Sequence, residues 1–61
     1  MDKDVTEKLR QAEEWLLNST SSTYAQIMAA QEFVIDVARN SGDAEERKAA
    51  GDIITALVLP G

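Results

Sequence analysis

The chain reads as an all-α protein. Three short helices are expected, over about 4–18, 23–39 and 43–58, within one domain that spans residues 1–61. Three observations predict this. Apolar residues recur at spacings of three and four rather than alternating. Each segment opens on a capping residue with Glu or Gln three places later. Two polar tracts, 18–23 and 40–42, break the periodicity between segments.

The first helix starts where Asp4 precedes Glu7, with acidic side chains beside the positive end of the helix dipole. Val5, Leu9, Ala12 and Leu16 then fall on one narrow stripe. Trp15 and Leu17 lie off that stripe on opposite flanks. Asp4 with Lys8 and Arg10 with Glu14 are placed to pair across one turn. The tract from Asn18 to Thr23 competes with the backbone for hydrogen bonds and favours a turn.

Thr23 with Gln26 makes a second capping box. The helix it opens is expected to end at Asn40-Ser41-Gly42, where Asn40 or Gly42 is available for a left-handed cap. Asp43 with Glu46 opens the third helix, which should run to about Val58, ahead of Pro60-Gly61. The stretch 53–59 is apolar and β-branched enough to resemble a strand. Helical spacing of Ala50, Ile53, Ile54, Leu57 and Val58, and the lack of any partner strand, favour helix.

The middle helix is unusually apolar. Its polar stripe is Ala25, Ala29, Glu32, Asp36 and Arg39. Tyr24, Ile27, Met28, Ala30, Phe33, Val34, Ile35, Val37 and Ala38 cover an arc of roughly 220°. Surface helices usually bury a stripe of about 100° or slightly more. Two short neighbours would struggle to cover the surplus, so a helical-bundle homodimer is favoured over a monomeric three-helix bundle. The expected oligomer interface is Tyr24, Ile27, Gln31, Val34, Ile35 and Ala38. Gln31 is either an amide buried in that contact or a wetted residue at its rim. Gly51 either lets two helices approach closely or is a tolerated helix glycine.

Charge limits the partners. Eleven acidic residues against six basic ones give a net charge of −5. The basic residues are scattered, so direct nucleic-acid binding is disfavoured, as is an anionic membrane surface. An acidic surface instead suits a basic protein. Candidate partner contacts are Glu13, Glu14 and Trp15 on the first helix, and Glu32 and Asp36 on the second. No run approaches a membrane span, and the acidic start does not read as a signal peptide, which suggests a cytoplasmic protein.

No catalytic arrangement is visible. The chain has no Cys and no His, which removes disulfides, thiolate or imidazole metal sites and Ser-His or Cys-His nucleophiles. Adjacent pairs Glu13-Glu14 and Glu45-Glu46 point about 100° apart on a helix and do not converge. No cofactor is expected. The functional expectation is a small acidic regulator, adaptor or inhibitor. It would act as a homodimer without catalysis and bind a basic protein, for example one that handles nucleic acid. Alternatives are a purely structural assembly module and, more weakly, an RNA-binding helical dimer.

Overall fold

The structure, a computed structural model, describes residues 2–58. It contains α1 (Lys3–Leu17), α2 (Tyr24–Asn40) and α3 (Ala44–Val58), with no strand among the described residues. Each helix packs on both others. Residues 53–58 are helical, so the strand alternative is dismissed there. Leu59, the last residue of that ambiguous stretch, lies outside the described residues.

Local chemistry explains the helix boundaries. Asp2, not Asp4, caps α1: its carboxylate accepts the Asp4 N–H at 2.9 Å, and its carbonyl accepts the Thr6 N–H at 3.0 Å. The helix therefore begins earlier than the Asp4–Glu7 spacing implies. Thr23 and Gln26 form the expected reciprocal box, with Gln26 N–H donating to Thr23 Oγ1 at 3.1 Å and Thr23 N–H to Gln26 Oε1 at 2.9 Å. Asn18 closes α1 by donating both its N–H and its side-chain amide to the Glu14 carbonyl. The Ser22 hydroxyl reaches the Trp15 carbonyl at 2.9 Å, which ties the linker to the helix it follows.

The expected left-handed cap after α2 does not form. Ser41 ends the helix in extended conformation (φ −65°, ψ 137°), and no described residue, glycine included, has positive φ. A short turn into the next cap replaces it. The Asp43 carboxylate accepts the N–H groups of Glu45 at 2.8 Å and Glu46 at 3.4 Å. Glu46 does not complete a box with Asp43. One of its carboxylate oxygens accepts the Ser41 hydroxyl at 2.7 Å, and the other accepts the Asp2 N–H at 3.2 Å. This side chain therefore joins the start of α1, the end of α2 and the start of α3. Arg47 adds a bond from its guanidinium to the Ser41 carbonyl at 2.6 Å. Among the described residues the ion pair is Lys48–Asp52 at 3.6 Å, rather than those expected on α1. Both of its side chains are largely exposed, so it contributes only a few tenths of a kcal/mol.

The core is small. Leu9, Ala12, Ala30, Val34, Val37, Ala50 and Ile53 are buried, and Val5, Trp15, Leu16, Phe33, Ala38, Ala49 and Ile54 pack around them. Three of the seven buried residues are alanine, so the helices approach closely where they meet. The α1 stripe of Val5, Leu9, Ala12 and Leu16 faces this core as its spacing predicts. Gly51 is not needed for close approach, because a Cβ built there meets nothing within 4 Å.

Two changes test these assignments. Thr23→Ala removes the acceptor for the Gln26 N–H and should cost about 1 kcal/mol of unfolding free energy. Gly51→Ala, at an open helix-interior position, should add up to about 1 kcal/mol. Urea titration followed by circular dichroism reads both.

Candidate functional site

The two ends of the bundle differ in chemistry. At one end Asp2, Ser41, Asp43, Glu46 and Arg47 form the hydrogen-bonded junction described above. Asp43 is the residue there with a resolved perturbation: its carboxyl is held below the ordinary value of 3.8. The Glu45 N–H is the main cause, opposed by desolvation and aided by the Glu46 N–H.

At the other end, where α1 stops, α2 starts and α3 stops, large apolar side chains face outward. Tyr24 is 79% exposed, Val58 73%, Leu17 61%, Leu57 41% and Met28 37%, and Ile35, 45% exposed, lies further along α2 toward its C-terminal half. A groove of about 350 Å³ runs between α2 and α3, lined by Leu16, Gln31, Val34, Ile35, Ile54, Leu57 and Val58. None of these lining residues is charged.

Helical spacing organises this surface. Tyr24, Met28, Gln31 and Ile35 follow one another at intervals of four, three and four along α2. Arg47, Gly51, Ile54 and Val58 repeat the same intervals along α3. Such spacing is the heptad pattern of helices that pack in bundles. Gln31 and Ile35 of the first set and Ile54 and Val58 of the second line the groove, whereas Arg47 belongs to the polar junction.

The expected interface residues do not all belong to this surface. Val34 is only 1% exposed and is enclosed by its own chain, because α1 and α3 both close over the centre of α2. It has no surface left for a second polypeptide, and the interface expectation is corrected at this residue. Val37 is likewise buried within one copy. Ile27 and Ala38 are half-buried, while Tyr24, Gln31 and Ile35 are exposed. Gln31 therefore sits on the rim of the groove within one chain. The surplus apolar surface of α2 is real but narrower than its full arc, since flanking helices cover most of it.

Ile54, Leu57 and Val58 were not singled out as interface residues from the sequence. Their apolar spacing was legible, but it did not reveal that Ile53 alone of these C-terminal residues would be buried, with Leu57 and Val58 left open. That division depends on where α2 crosses α3.

The expected partner contacts also separate. Glu13 is half-buried and lines a cleft of about 330 Å³ with Arg10, Ala49 and Asp52, on the α3 side of α1. Trp15 is half-buried and lines a recess of about 190 Å³ with Lys8, Gln11, Ala29 and Phe33, on the α2 side. Glu14 faces solvent between them. The three neighbours diverge because successive helical residues rotate by about 100°, so they form no single patch. Glu32 and Asp36 are exposed one turn apart on α2, and Asp36 accepts the Asn40 side-chain amide at 2.8 Å. Spacing places them along the flank of α2 that carries Ala29, beside the Trp15 recess.

Among the described residues no three His, Cys, Asp or Glu side chains gather as a metal site, and no helix is long and apolar enough to cross a membrane. Compared with known proteins, the chain matches no family model, no curated protein and no solved structure.

The Asp43 perturbation has a defined pH consequence. Its folded-state pKa lies below the unfolded value, so its stabilisation is fully present above about pH 3.8 and is lost as pH falls through the folded value. Asp43→Asn retains a capping acceptor without the titration. Urea unfolding between about pH 6 and about pH 2 should therefore show a shallower acid decline in the variant.

Proposed function

We propose that this protein is a small acidic regulator, adaptor or inhibitor that works by binding other proteins and performs no catalysis. It acts as a homodimer in the cytoplasm. The observation that supports this reading most directly is the contrast between the two ends of the bundle. One end is joined by hydrogen bonds among Asp2, Ser41 and Glu46, while the other leaves Leu17, Tyr24, Leu57 and Val58 open to solvent. Contiguous apolar surface of this kind favours association with another polypeptide.

Self-association through the apolar end leaves the acidic flank free for a second protein. Glu32 and Asp36, with the Trp15 recess beside them, combine charge that steers a basic partner with an aromatic anchor of the kind that carries binding energy at interfaces. The net charge of −5 favours a basic partner, such as a protein surface that otherwise meets nucleic acid. A second reading is a purely structural assembly module. The divergence of Glu13, Glu14 and Trp15 around α1 favours it, because only part of the expected acidic patch converges.

Affinity capture with mass spectrometry, followed by titration of the purified partner, separates the two. The regulator reading expects a basic protein whose affinity falls severalfold when Glu32 and Asp36 are changed to Lys, and falls again with added salt. Affinity that is unchanged by these reversals, or self-association with no retained partner, favours the assembly module.

A further inference from the structure

We infer that Asn18 is a site of spontaneous deamidation and that the fold protects Asn40 from the same reaction. The modification takes only water, with hydroxide as base, and does not depend on the function proposed above.

Asparagine is one of the chemically labile residues. The chain has two, and both precede serine. Local sequence therefore sets the same nucleophile, the serine backbone nitrogen, beside the same side-chain amide. Both asparagines are exposed, so solvent access does not separate them. Hydrogen bonding does. Asn18 closes α1 and opens an exposed turn in which the Ser21 N–H donates to its carbonyl at 2.9 Å. Within that turn the Ser19 N–H makes no hydrogen bond among the described residues. Asn40 is the last residue of α2, and the Ser41 N–H that would attack it is held on the Val37 carbonyl at 3.2 Å.

The reaction begins when hydroxide removes the proton from the Ser19 N–H. Charge spreads from that nitrogen onto the Asn18 carbonyl oxygen, where the Ser21 N–H and the Ser22 hydroxyl, at 3.0 Å, stabilise it. At the end of α2 the donors fall instead on the carbonyls of Val37 and Ser41. The Ser19 nitrogen then bonds to Asn18 Cγ, the Cγ–Nδ2 bond breaks, and ammonia leaves with a proton from water. Water opens the cyclic imide at either carbonyl, giving aspartate or its β-linked isomer. Nothing is oxidised or reduced.

Reaching this geometry costs the two residues differently. Asn18 must release the Glu14 carbonyl, an exposed contact at 3.1 Å. Asn40 must release the Asp36 carboxylate, at 2.8 Å, and also open the last rung of its helix. Both lie at helix C-termini, so the unfavourable dipole there acts on both anions and does not choose between them.

The product matters where it forms. Conversion replaces a donor to the Glu14 carbonyl by a carboxylate at the negative end of the α1 dipole. It also places a charge within 15–31, a stretch that has none, next to exposed Leu17.

The full chain is incubated in mildly alkaline buffer, folded or unfolded in guanidinium chloride, and peptide mass spectrometry follows each asparagine with time. In the folded chain Asn18 should convert about fivefold faster than Asn40 or more, the factor set by opening one extra hydrogen bond. In the unfolded chain the two rates should converge. Asn18→Asp, which makes one product directly, should lower the urea midpoint read by circular dichroism. Equal rates in the folded chain, a faster Asn40, or an inert Asn18 where both convert on unfolding overturns the assignment. A preference for Asn18 that survives unfolding overturns its structural cause, and an unchanged midpoint in Asn18→Asp overturns the consequence drawn for α1.

Discussion

The volume of the core governs this protein. Three helices of fifteen, seventeen and fifteen residues meet around Leu9, Ala12, Ala30, Val34, Val37, Ala50 and Ile53. Three of these seven residues are alanine, so the enclosed space holds few large side chains. Only Leu9 and Ile53 among the described buried side chains are larger than valine. Tyr24, Met28, Ile35, Leu57 and Val58 therefore remain outside because of packing geometry and chain length rather than polarity. A chain of this size hides only about 60% of its extended surface on folding alone.

That limit is distributed unevenly along the bundle. At the Asp2–Ser41–Glu46 junction, polar side chains occupy the space between helix termini and satisfy one another, and they specify which ends lie together. The opposite end has the Thr23–Gln26 box and the Ser22 bond to Trp15, but no polar contact linking α3 to the other helices is seen among the described residues. The proposed role follows from this division: the polar end organises the protomer, and the apolar end seeks a second copy. The flank bearing Glu32, Asp36 and Trp15 remains for a partner.

Helix number and order were legible because they depend on neighbours in sequence. Thr23 with Gln26, the Ser/Thr tract and the Asp43 cap act within a few residues, and periodicity over four turns distinguishes helix from strand. The start of α1 was less legible because Asp2 and Asp4 are both competent caps, and only the finished contacts of Asp2 with Asp4, Thr6 and Glu46 distinguish them. Asn40 or Gly42 looked like a left-handed cap, yet the Ser41 N–H on the Val37 carbonyl and the Arg47 guanidinium on the Ser41 carbonyl satisfy the same end without positive φ.

The candidate surface was legible only in part, for the same physical reason. Spacing along α2 revealed more apolar arc than one stripe requires, and the positions of Tyr24 and Ile35 within it. By itself the sequence determined the three helices, their caps, the acidic balance and the existence of an apolar surplus, all set by local hydrogen bonding, periodicity and composition. Tertiary structure alone decided that Val34 belongs to the protomer's own core, that Leu57 and Val58 join the open face, and that Glu13, Glu14 and Trp15 part company. Those outcomes depend on crossing angles and interhelical distances, which arise only when all three helices compete for one small volume.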